Sequence, residues 1–231
     1  MIVAIHQPNF LPWPGYFFKI ACCDVFVILD NVQYTKNGFQ NRNRIKTPRG
    51  EAWLTVPVLT KGKLTQMTNE VSINNRSNWG NKVWKTIQQN YGKTCYFNLY
   101  ANYFKQIFSE NWEFLVELNI EILFQIMAWL NISTKTIRAS EMNISGKSTD
   151  LLVSICKELK AETYLAGFGG KKYMENGLFD NHGIKLETYK FVSPLYPQLF
   201  GDFIADLSII DLLFNCGPKS PNVLMQENRI I

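Results

Sequence analysis

The first thirty residues contain the pattern that most restricts the fold of this chain: two short apolar runs separated by a turn and a helix. The runs are Ile2–Ile5 and Val25–Leu29, and neither alternates with polar residues. Such runs are typical of strands covered on both faces, as in a parallel sheet. Between them lie a turn with three prolines, His6–Gly15, and a predicted short helix, Tyr16–Ala21. Together they form a βαβ unit, for which we expect a right-handed crossover.

The same rhythm returns in the second half of the chain. Alternating strands and helices predict an α/β fold with a doubly wound, mostly parallel sheet that carries helices on both faces. No linker divides the sequence, so we expect a single α/β domain over residues 1–231. Asp211 lies within an apolar helix and is expected to need a partner. The predicted elements are strand Lys135–Ala139, helix Thr149–Leu159, strands Thr163–Ala166 and Lys185–Tyr189, and helix Leu207–Phe214.

Two segments interrupt this rhythm. Residues 31–75 predict a basic antiparallel hairpin flap on the edge of the sheet, because Thr47–Gly50 supplies the Pro and Gly of a tight turn and Glu51–Val56 alternates. A further strand is expected at Glu70–Ile73. Residues 76–131 predict a helical segment, with helices at Asn78–Tyr91 and Ser109–Leu130. The second of these carries an apolar stripe and is expected to face the core.

Composition narrows the classes of function. Hydrophobic residues make up 46% and charged residues 19%, which excludes a disordered or coiled-coil chain. The net charge of +5 suits an anionic small molecule and does not by itself argue for DNA or RNA. The five cysteines lack C-x-x-C spacing and there are two histidines, so we expect free thiols and no metal site. Without a secretory signal or a membrane span, we expect a soluble cytoplasmic protein.

Ligands of open α/β sheets bind beyond the carboxyl ends of the strands, and three segments are expected there. The first, His6–Tyr16, is a stiff turn that leads into a helix N-terminus, which favours an anion. His6 is its only base that titrates near neutral pH. The alternative is a rigid connector whose aromatic residues pack on the sheet. The other candidate ligand-binding residues of this segment are Gln7, Asn9, Trp13, Gly15 and Tyr16.

The second segment follows the second strand. Asp30 ends that strand, so its carboxylate is expected to face the same cleft. The basic residues beyond it favour a phosphate group, because arginine side chains bind phosphate oxygens in pairs. A nucleic-acid groove and a merely solvated flap are the alternatives. The candidate binding residues are Gln33, Lys36, Asn41, Arg42, Asn43 and Arg44.

The third segment is the glycine-rich turn after Thr163–Ala166. Glycines between a strand and a helix allow a ligand to approach the backbone. Gly146–Ser148 imitates the end of a P-loop, but Glu141 stands in place of the first glycine, so Ser148 or Thr149 is interpreted as a helix cap. The candidate binding residues are Gly167, Gly169, Gly170 and Tyr173, with Tyr196 as a residue that could close the cleft.

The following motifs occur along the chain: His6-Gln-Pro-Asn-Phe10, Pro12-Trp-Pro-Gly-Tyr16, Phe26-Val-Ile-Leu-Asp30 with Gln33, Asn41-Arg-Asn-Arg-Ile-Lys46, Val56-Pro-Val58, Leu165-Ala-Gly-Phe-Gly-Gly170, Pro194-Leu-Tyr-Pro-Gln198 and Ile210-Asp-Leu-Leu-Phe-Asn-Cys-Gly217. Over nearly the whole chain they resemble the WbqC-like protein family. Its members are associated with bacterial O-antigen gene clusters. The role suggested for them is the transfer of glycine to an amino sugar.

The layout of the first thirty residues is also similar to that of the nucleotidylyltransferase superfamily. That superfamily includes pantothenate synthetase, which makes an amide by way of an acyl-adenylate. Its H-x-G-H signature would fall on Trp13-Pro-Gly15-Tyr16, where the glycine matches and both histidines are replaced. The similarity implies a Rossmann-like fold and leaves ATP as a possible cofactor.

These resemblances imply an aminoacyl transferase that forms an amide between glycine and a nucleotide-linked amino sugar in O-antigen and lipopolysaccharide biosynthesis. The nucleotide diphosphate is expected on the Pro12–Tyr16 turn, helped by Arg42 and Arg44. The acyl donor is left open among glycine with ATP, a carrier thioester and an aminoacyl-tRNA. Two alternatives remain: a nucleotidylyltransferase acting on a sugar phosphate, and a non-catalytic scaffold that binds sugar nucleotides. A homo-oligomer is also left open.

The roles expected for individual residues follow from amide chemistry. A base must take a proton from the attacking amine, and His6 is the candidate, with Asp30 to orient or replace it. Gln7 or Asn41 would donate hydrogen bonds to the developing oxyanion. Trp13 or Tyr16 would stack on the base or the sugar.

Overall fold

The computed structural model describes residues 1–63, 65–167, 176–226 and 228–230. At its centre is a six-stranded sheet of order β5-β2-β1-β6-β7-β8. All neighbouring strands are parallel except β8, which pairs antiparallel with β7. This confirms the predicted α/β fold with a mostly parallel sheet. The strands are β1 (Ile2–His6), β2 (Val25–Ile28), β3 (Arg42–Thr47), β4 (Gly50–Thr55), β5 (Lys135–Arg138), β6 (Thr163–Gly167), β7 (Lys185–Lys190) and β8 (Arg229–Ile230).

Helices cover both faces of this sheet. Side chains of successive strand residues point to opposite faces, and in β1 they enter two separate buried clusters. Val3 and Ile5 pack in the cluster that contains residues of α5, whereas Ala4 packs in the one that contains residues of α1. The sheet is therefore doubly wound. The helices are α1 (Pro14–Ala21), α2 (Trp79–Tyr91), α3 (Phe97–Ile107), α4 (Leu115–Trp129), α5 (Ser148–Glu158), α6 (Asn176–Asp180), α7 (Ile209–Cys216) and α8 (Ser220–Met225).

The predicted hairpin is confirmed as the antiparallel pair β3–β4, with Thr47 opposite Gly50 at the turn. The sequence predicted that the hairpin lies on the edge of the main sheet. Instead, β3 and β4 form a separate two-stranded sheet. The segment before it bonds to the loop after β1, where the Phe10 N–H donates to the Phe39 carbonyl over 3.0 Å. The hairpin therefore lies against the loop that follows β1.

The strand predicted at Glu70–Ile73 is wrong. Thr68–Glu70 form one turn of 3₁₀ helix, and Ile73 makes an isolated bridge with Val58. The apolar residues of this segment are nevertheless inside the protein, since Val71 is fully buried and Ile73 nearly so. Burial alone did not distinguish a strand from an irregular segment.

The helical segment contains three helices rather than the two predicted. Helix α4 begins at Leu115 instead of Ser109, because Phe114 is extended and forms a bridge with Ser72. Helix α3 was missed, since its buried face is aromatic and interrupted by polar residues. The end of α3 approaches α2 closely: a Cβ on Gly80 would lie 2.0 Å from the Phe108 carbonyl oxygen. None of the helices in the described ranges is long and apolar enough to cross a bilayer.

Candidate functional site

A cavity of about 520 Å³ opens beside the carboxyl ends of β1 and β6. From β1 the chain passes through α1 to β2 on one side, whereas β6 lies on the other side of β1. This is the topological switch point of the sheet, where ligands of open α/β folds bind. A second cavity of about 670 Å³ lies beside α2 and lacks any strand end. The first is lined by Ile5, His6, Gln7, Lys19, Leu29, Val32, Gln33, Ser148, Thr149, Leu151, Leu152, Tyr164 and Gly167.

His6, the last residue of β1, is half-buried at this cavity and held in one orientation. Its Nδ1 lies 2.9 Å from the Gln7 carbonyl oxygen, which can accept but not donate, so Nδ1 carries the proton and Nε2 does not. The Tyr16 hydroxyl donates to the same carbonyl over 3.1 Å. Its ring meets the imidazole edge-on, with centroids 4.7 Å apart. Tyr16 thus positions His6.

The charge state of His6 follows from its surroundings. Burial, followed by the neighbouring Lys19 ammonium, lowers the pKa of His6 to about 4. The imidazole is therefore neutral at physiological pH, as a proton acceptor must be. The sequence-based choice of His6 as a base agrees with this geometry, and its catalytic role stays a prediction.

Lys19 is the cavity residue that sequence reasoning missed. It lies in α1 with 2% of its surface exposed, and its Nζ donates to the Ile5 carbonyl over 2.8 Å. Burial lowers the pKa of Lys19 to about 8, so the ammonium is still charged at neutral pH. A lysine between two phenylalanines and an isoleucine, Phe17-Phe-Lys-Ile20, was the signal that could have revealed it.

Helix α5 reaches the cavity with its first turn. Ser148 and Thr149 line the cavity there. The predicted cap, Ser148 or Thr149, is wrong, because the helix begins at Ser148 and the capping position is Lys147, whose side chain makes no capping hydrogen bond. Helix N-termini carry a partial positive charge, and the same turn also contains the exposed carboxylate of Asp150.

The side chain of Gln7, for which the role of a hydrogen-bond donor stays a prediction, is held by Gln40. Gln40 is buried, and its Nε2 donates to Gln7 Oε1 over 3.1 Å. Gln40 Oε1 accepts from the Thr35 N–H over 3.0 Å, which fixes its own orientation. With Oε1 occupied, Gln7 presents its amide NH₂ as a donor at the cavity.

Asp30 does not lie at this cavity, contrary to the expectation from sequence. Its carboxylate is fully buried on the β5 side of β2. It accepts from Arg138 Nε over 2.9 Å, and from the Ser140 N–H and hydroxyl over 2.9 and 2.7 Å. Arg138 also donates to Glu117 over 3.0 Å. Asp30 thus stabilises the β2–β5 edge and has no contact with His6 Nδ1, whose partner is Gln7.

The Pro12–Tyr16 turn, which was predicted to hold a diphosphate, is a corner filled by side chains of the protein. Trp13 folds back over the first turn of α1, so that a Cβ on Gly15 would lie 2.3 Å from the indole ring. Trp13 also packs edge-on against Phe191, with centroids 5.2 Å apart. Tyr16 is 1% exposed and offers no ring face to a ligand. The alternative, a rigid connector with packed aromatics, describes this corner.

The candidate residues of the flap have other neighbours. Asn43 donates to the Leu11 carbonyl over 2.6 Å and Asn41 to the Val56 carbonyl over 2.9 Å, so both asparagines hold the backbone. Leu11 itself has a left-handed φ of 44°. Arg42 lies 4.4 Å above the Trp53 ring, and Arg44 pairs with Glu51 over 2.8 Å.

The structure therefore brings together only part of the predicted set. Gly167 lines the cavity with His6 and Gln7, and so does Gln33, which is exposed. Gly169, Gly170 and Tyr173 lie outside the described residues. The remaining candidates lie outside the lining: exposed Lys36, half-buried Asn9, and Tyr196, whose hydroxyl donates to Asp211 over 2.9 Å.

The fold and the site define a Rossmann-like α/β protein with a cavity at the switch point of its sheet. Comparison of the sequence with family models gives a match to the WbqC-like protein family over residues 7–223. The chain belongs to this family. It is similar to the uncharacterized protein Rv1507c of Mycobacterium tuberculosis (strain ATCC 25618 / H37Rv), with 36% identity over 224 residues that cover 96% of each chain. No solved structure gives a significant match.

Proposed function

We propose that this protein transfers an activated glycyl group to the amine of a nucleotide-linked amino sugar and so forms an amide in surface-polysaccharide biosynthesis. The observation that carries the proposal is the neutral imidazole of His6, oriented by Gln7 and Tyr16 at the mouth of the cavity. The role suggested for the WbqC-like family supports the choice of acyl group and acceptor.

The chemistry needs a base and a hydrogen-bond donor. The amine nitrogen attacks the carbonyl carbon of the glycyl donor, a C–N bond forms, and the bond from that carbon to the leaving group breaks. One proton leaves the nitrogen, and His6 Nε2 accepts it. The Gln7 NH₂ donates to the oxygen that becomes negative in the tetrahedral intermediate.

An anionic substrate would make His6 a better base. The Lys19 ammonium is one cause of the low pKa of His6. A negative group beside Lys19 opposes that charge and raises the pKa of the imidazole toward neutrality. The base would then be strongest when the substrate is bound.

ATP is the cofactor proposed for activation of glycine. When bound, it would supply a phosphate or adenylate leaving group. The cavity lies at the point where open α/β sheets bind nucleotides, and Lys19 with the first turn of α5 are the groups that would meet its phosphates. A glycyl thioester and a glycyl-tRNA are the other donors to be compared.

Mass spectrometry of the acceptor tests this proposal. A nucleotide-linked amino sugar is incubated with the protein and each glycyl donor in turn, and we expect it to gain one glycyl group. His6→Ala should lower kcat/KM by about 10²–10⁴-fold, the usual contribution of a general base. His182→Ala is the matched control, because His182 is exposed and should leave the rate unchanged.

Three other outcomes are informative. Absence of a glycyl group with every donor contradicts the proposal. Release of pyrophosphate without an amino acid identifies a nucleotidylyltransferase instead. Tight binding of the sugar nucleotide, unaffected by His6→Ala and without turnover, identifies a non-catalytic scaffold.

A further inference from the structure

The starting observation is a buried positive charge at the cavity that the described part of the protein does not balance. Lys19 is 2% exposed and lines the cavity with Ile5 and His6. An ammonium has three donor hydrogens, and the hydrogen bond it makes within the described ranges goes to the Ile5 carbonyl. None of the ion pairs among those residues includes Lys19.

A buried charge of this kind is costly unless it is paired. Transfer of an ammonium from water into a protein interior is unfavourable by several kcal/mol, and a single carbonyl compensates little of this. The nearby ionisable groups do not help: His6 is neutral, and burial raises the pKa of the Cys23 thiol to about 12. The missing partner is an anion.

A second element independently favours an anion at the same place. The first turn of α5 faces the cavity through Ser148 and Thr149, and its capping residue, Lys147, makes no capping hydrogen bond. Helix α5 has 11 residues, so its N-terminus carries a dipole, and the exposed carboxylate of Asp150 lies in the same turn. Two elements far apart in sequence, α1 with the Lys19 ammonium and α5 with its N-terminal turn, thus line one cavity.

We propose that the cavity binds an anionic group, a phosphate or a carboxylate, between the Lys19 ammonium and the first turn of α5. This inference rests on the proposed function in taking the same cavity as the substrate site, and it names the charge that the substrate carries there. It assigns Lys19 as a binding residue. Binding of the anion does not itself require that glycyl transfer occur.

The test compares two buried lysines. Lys46 is also 2% exposed, but its Nζ donates to Gln198 Oε1 over 3.0 Å and to the Gly201 and Asp202 carbonyls. Calorimetric titrations use wild type, Lys19→Met and Lys46→Met, with inorganic phosphate or pyrophosphate in one arm and acetate or glycine in the other. Binding of the phosphates or of the carboxylates to the wild type identifies the class of anion.

We expect Lys19→Met to weaken binding of that anion at least tenfold, while Lys46→Met changes it less than twofold. Lys19→Met should also raise Tm in the absence of ligand, because it removes an unpaired buried charge. Lys19→Gln, which keeps a donor without the charge, serves as a second variant if the methionine does not pack. It should lose binding in the same way.

The inference is overturned if wild type binds no anion in either arm, or if Lys19→Met and Lys46→Met weaken binding equally. A loss of Tm in both Lys19→Met and Lys19→Gln would also contradict it, since that result means that the ammonium stabilises the fold without a ligand. If anions bind as expected but no glycyl transfer occurs with any donor, the binding site stands and the proposed function fails.

Discussion

Lys19 and Lys46 are equally buried, yet their surroundings are opposite. Lys46 in β3 donates to a side-chain oxygen and two backbone carbonyls of residues 198–202. It also lies next to the buried carboxylate of Asp211, whose pKa it helps to lower against the effect of burial. Lys19 in α1 donates to one carbonyl and faces a cavity.

The difference separates a structural charge from a binding charge. Lys46, with Asp211, joins the hairpin, α2, α7 and the segment around Gln198 into one polar network. Tyr91 and Tyr196 each donate to the Asp211 carboxylate over 2.9 Å, and Gln198 over 2.7 Å. A fully satisfied network rigidifies the fold. The Lys19 ammonium, by contrast, makes one hydrogen bond within the described ranges, and its other hydrogens can bind a ligand.

The largest expected effect comes from breaking the satisfied network. Asp211→Ala removes the buried acceptor of three hydrogen bonds, and we expect the free energy of unfolding to fall by about 3–5 kcal/mol. Urea denaturation measures it. Asp180→Ala, at an exposed position, should change it by less than about 0.5 kcal/mol. Equal losses in the two variants would show that the network does not stabilise the fold.

The next largest effect on the free energy of unfolding comes from the buried charge of Lys19, and it depends on pH. The pKa of Lys19 falls from 10.5 to about 8 on folding, so between these values the unfolded chain binds one more proton than the folded chain. The contribution of Lys19 to stability therefore rises with pH across this window and is least favourable below pH 8. The difference amounts to about 3 kcal/mol.

Denaturation curves at pH 7 to 10, for wild type and Lys19→Met, isolate this contribution because the other titrations cancel. The wild type should gain stability relative to the variant as the pH rises. Parallel curves would mean that Lys19 does not titrate in this window and that its charge is compensated.

A smaller effect on stability is expected from loss of the hydroxyl group that helps to orient His6 at the cavity. Tyr16→Phe removes the hydroxyl that donates to the Gln7 carbonyl and should lower stability by about 1 kcal/mol. Because His6 then loses one of the contacts that orient it, glycyl transfer should slow several-fold in kcat with little change in KM. Retention of full kcat would show that the Gln7 carbonyl alone orients the imidazole.

The smallest effect is expected on the flap. The Arg44–Glu51 pair lies near the surface, and such pairs contribute about 0–1 kcal/mol. Arg44→Ala should therefore change stability by less than about 1 kcal/mol and leave anion binding in the cavity unaltered. If Arg44→Ala weakens anion binding as much as Lys19→Met does, then Arg44 belongs to the binding site, as the sequence predicted.

The fold was predictable because its signals are local. The apolar runs Ile2–Ile5 and Val25–Leu29 and the turn residues Thr47–Gly50 determine strands and a hairpin within a few positions of themselves. The placement of His6 and Gly167 at one edge also follows from strand order. These features need only periodicity and the rule for parallel sheets.

The partners of side chains were not predictable, because they come from distant positions. Asp30 was expected to face the cleft, but its partner Arg138 lies 108 residues away. Trp13 was expected to stack on a ligand, but it packs edge-on against Phe191, which lies 178 residues later in the chain. Lys19 has apolar neighbours in the sequence that could have indicated its burial, but its acceptor, the Ile5 carbonyl, becomes visible only in the packing of α1 on β1.

The central position of β1 has a consequence for how the molecule assembles. Its residues Ile2–Ala4 pair with Thr163–Leu165 of β6, so the two sides of the cavity come from segments about 160 residues apart. During synthesis the chain must therefore emerge beyond β6 before the binding pocket can exist at all. Until then one edge of β1 has no neighbouring strand, and this interval exposes the nascent chain to association with other polypeptides.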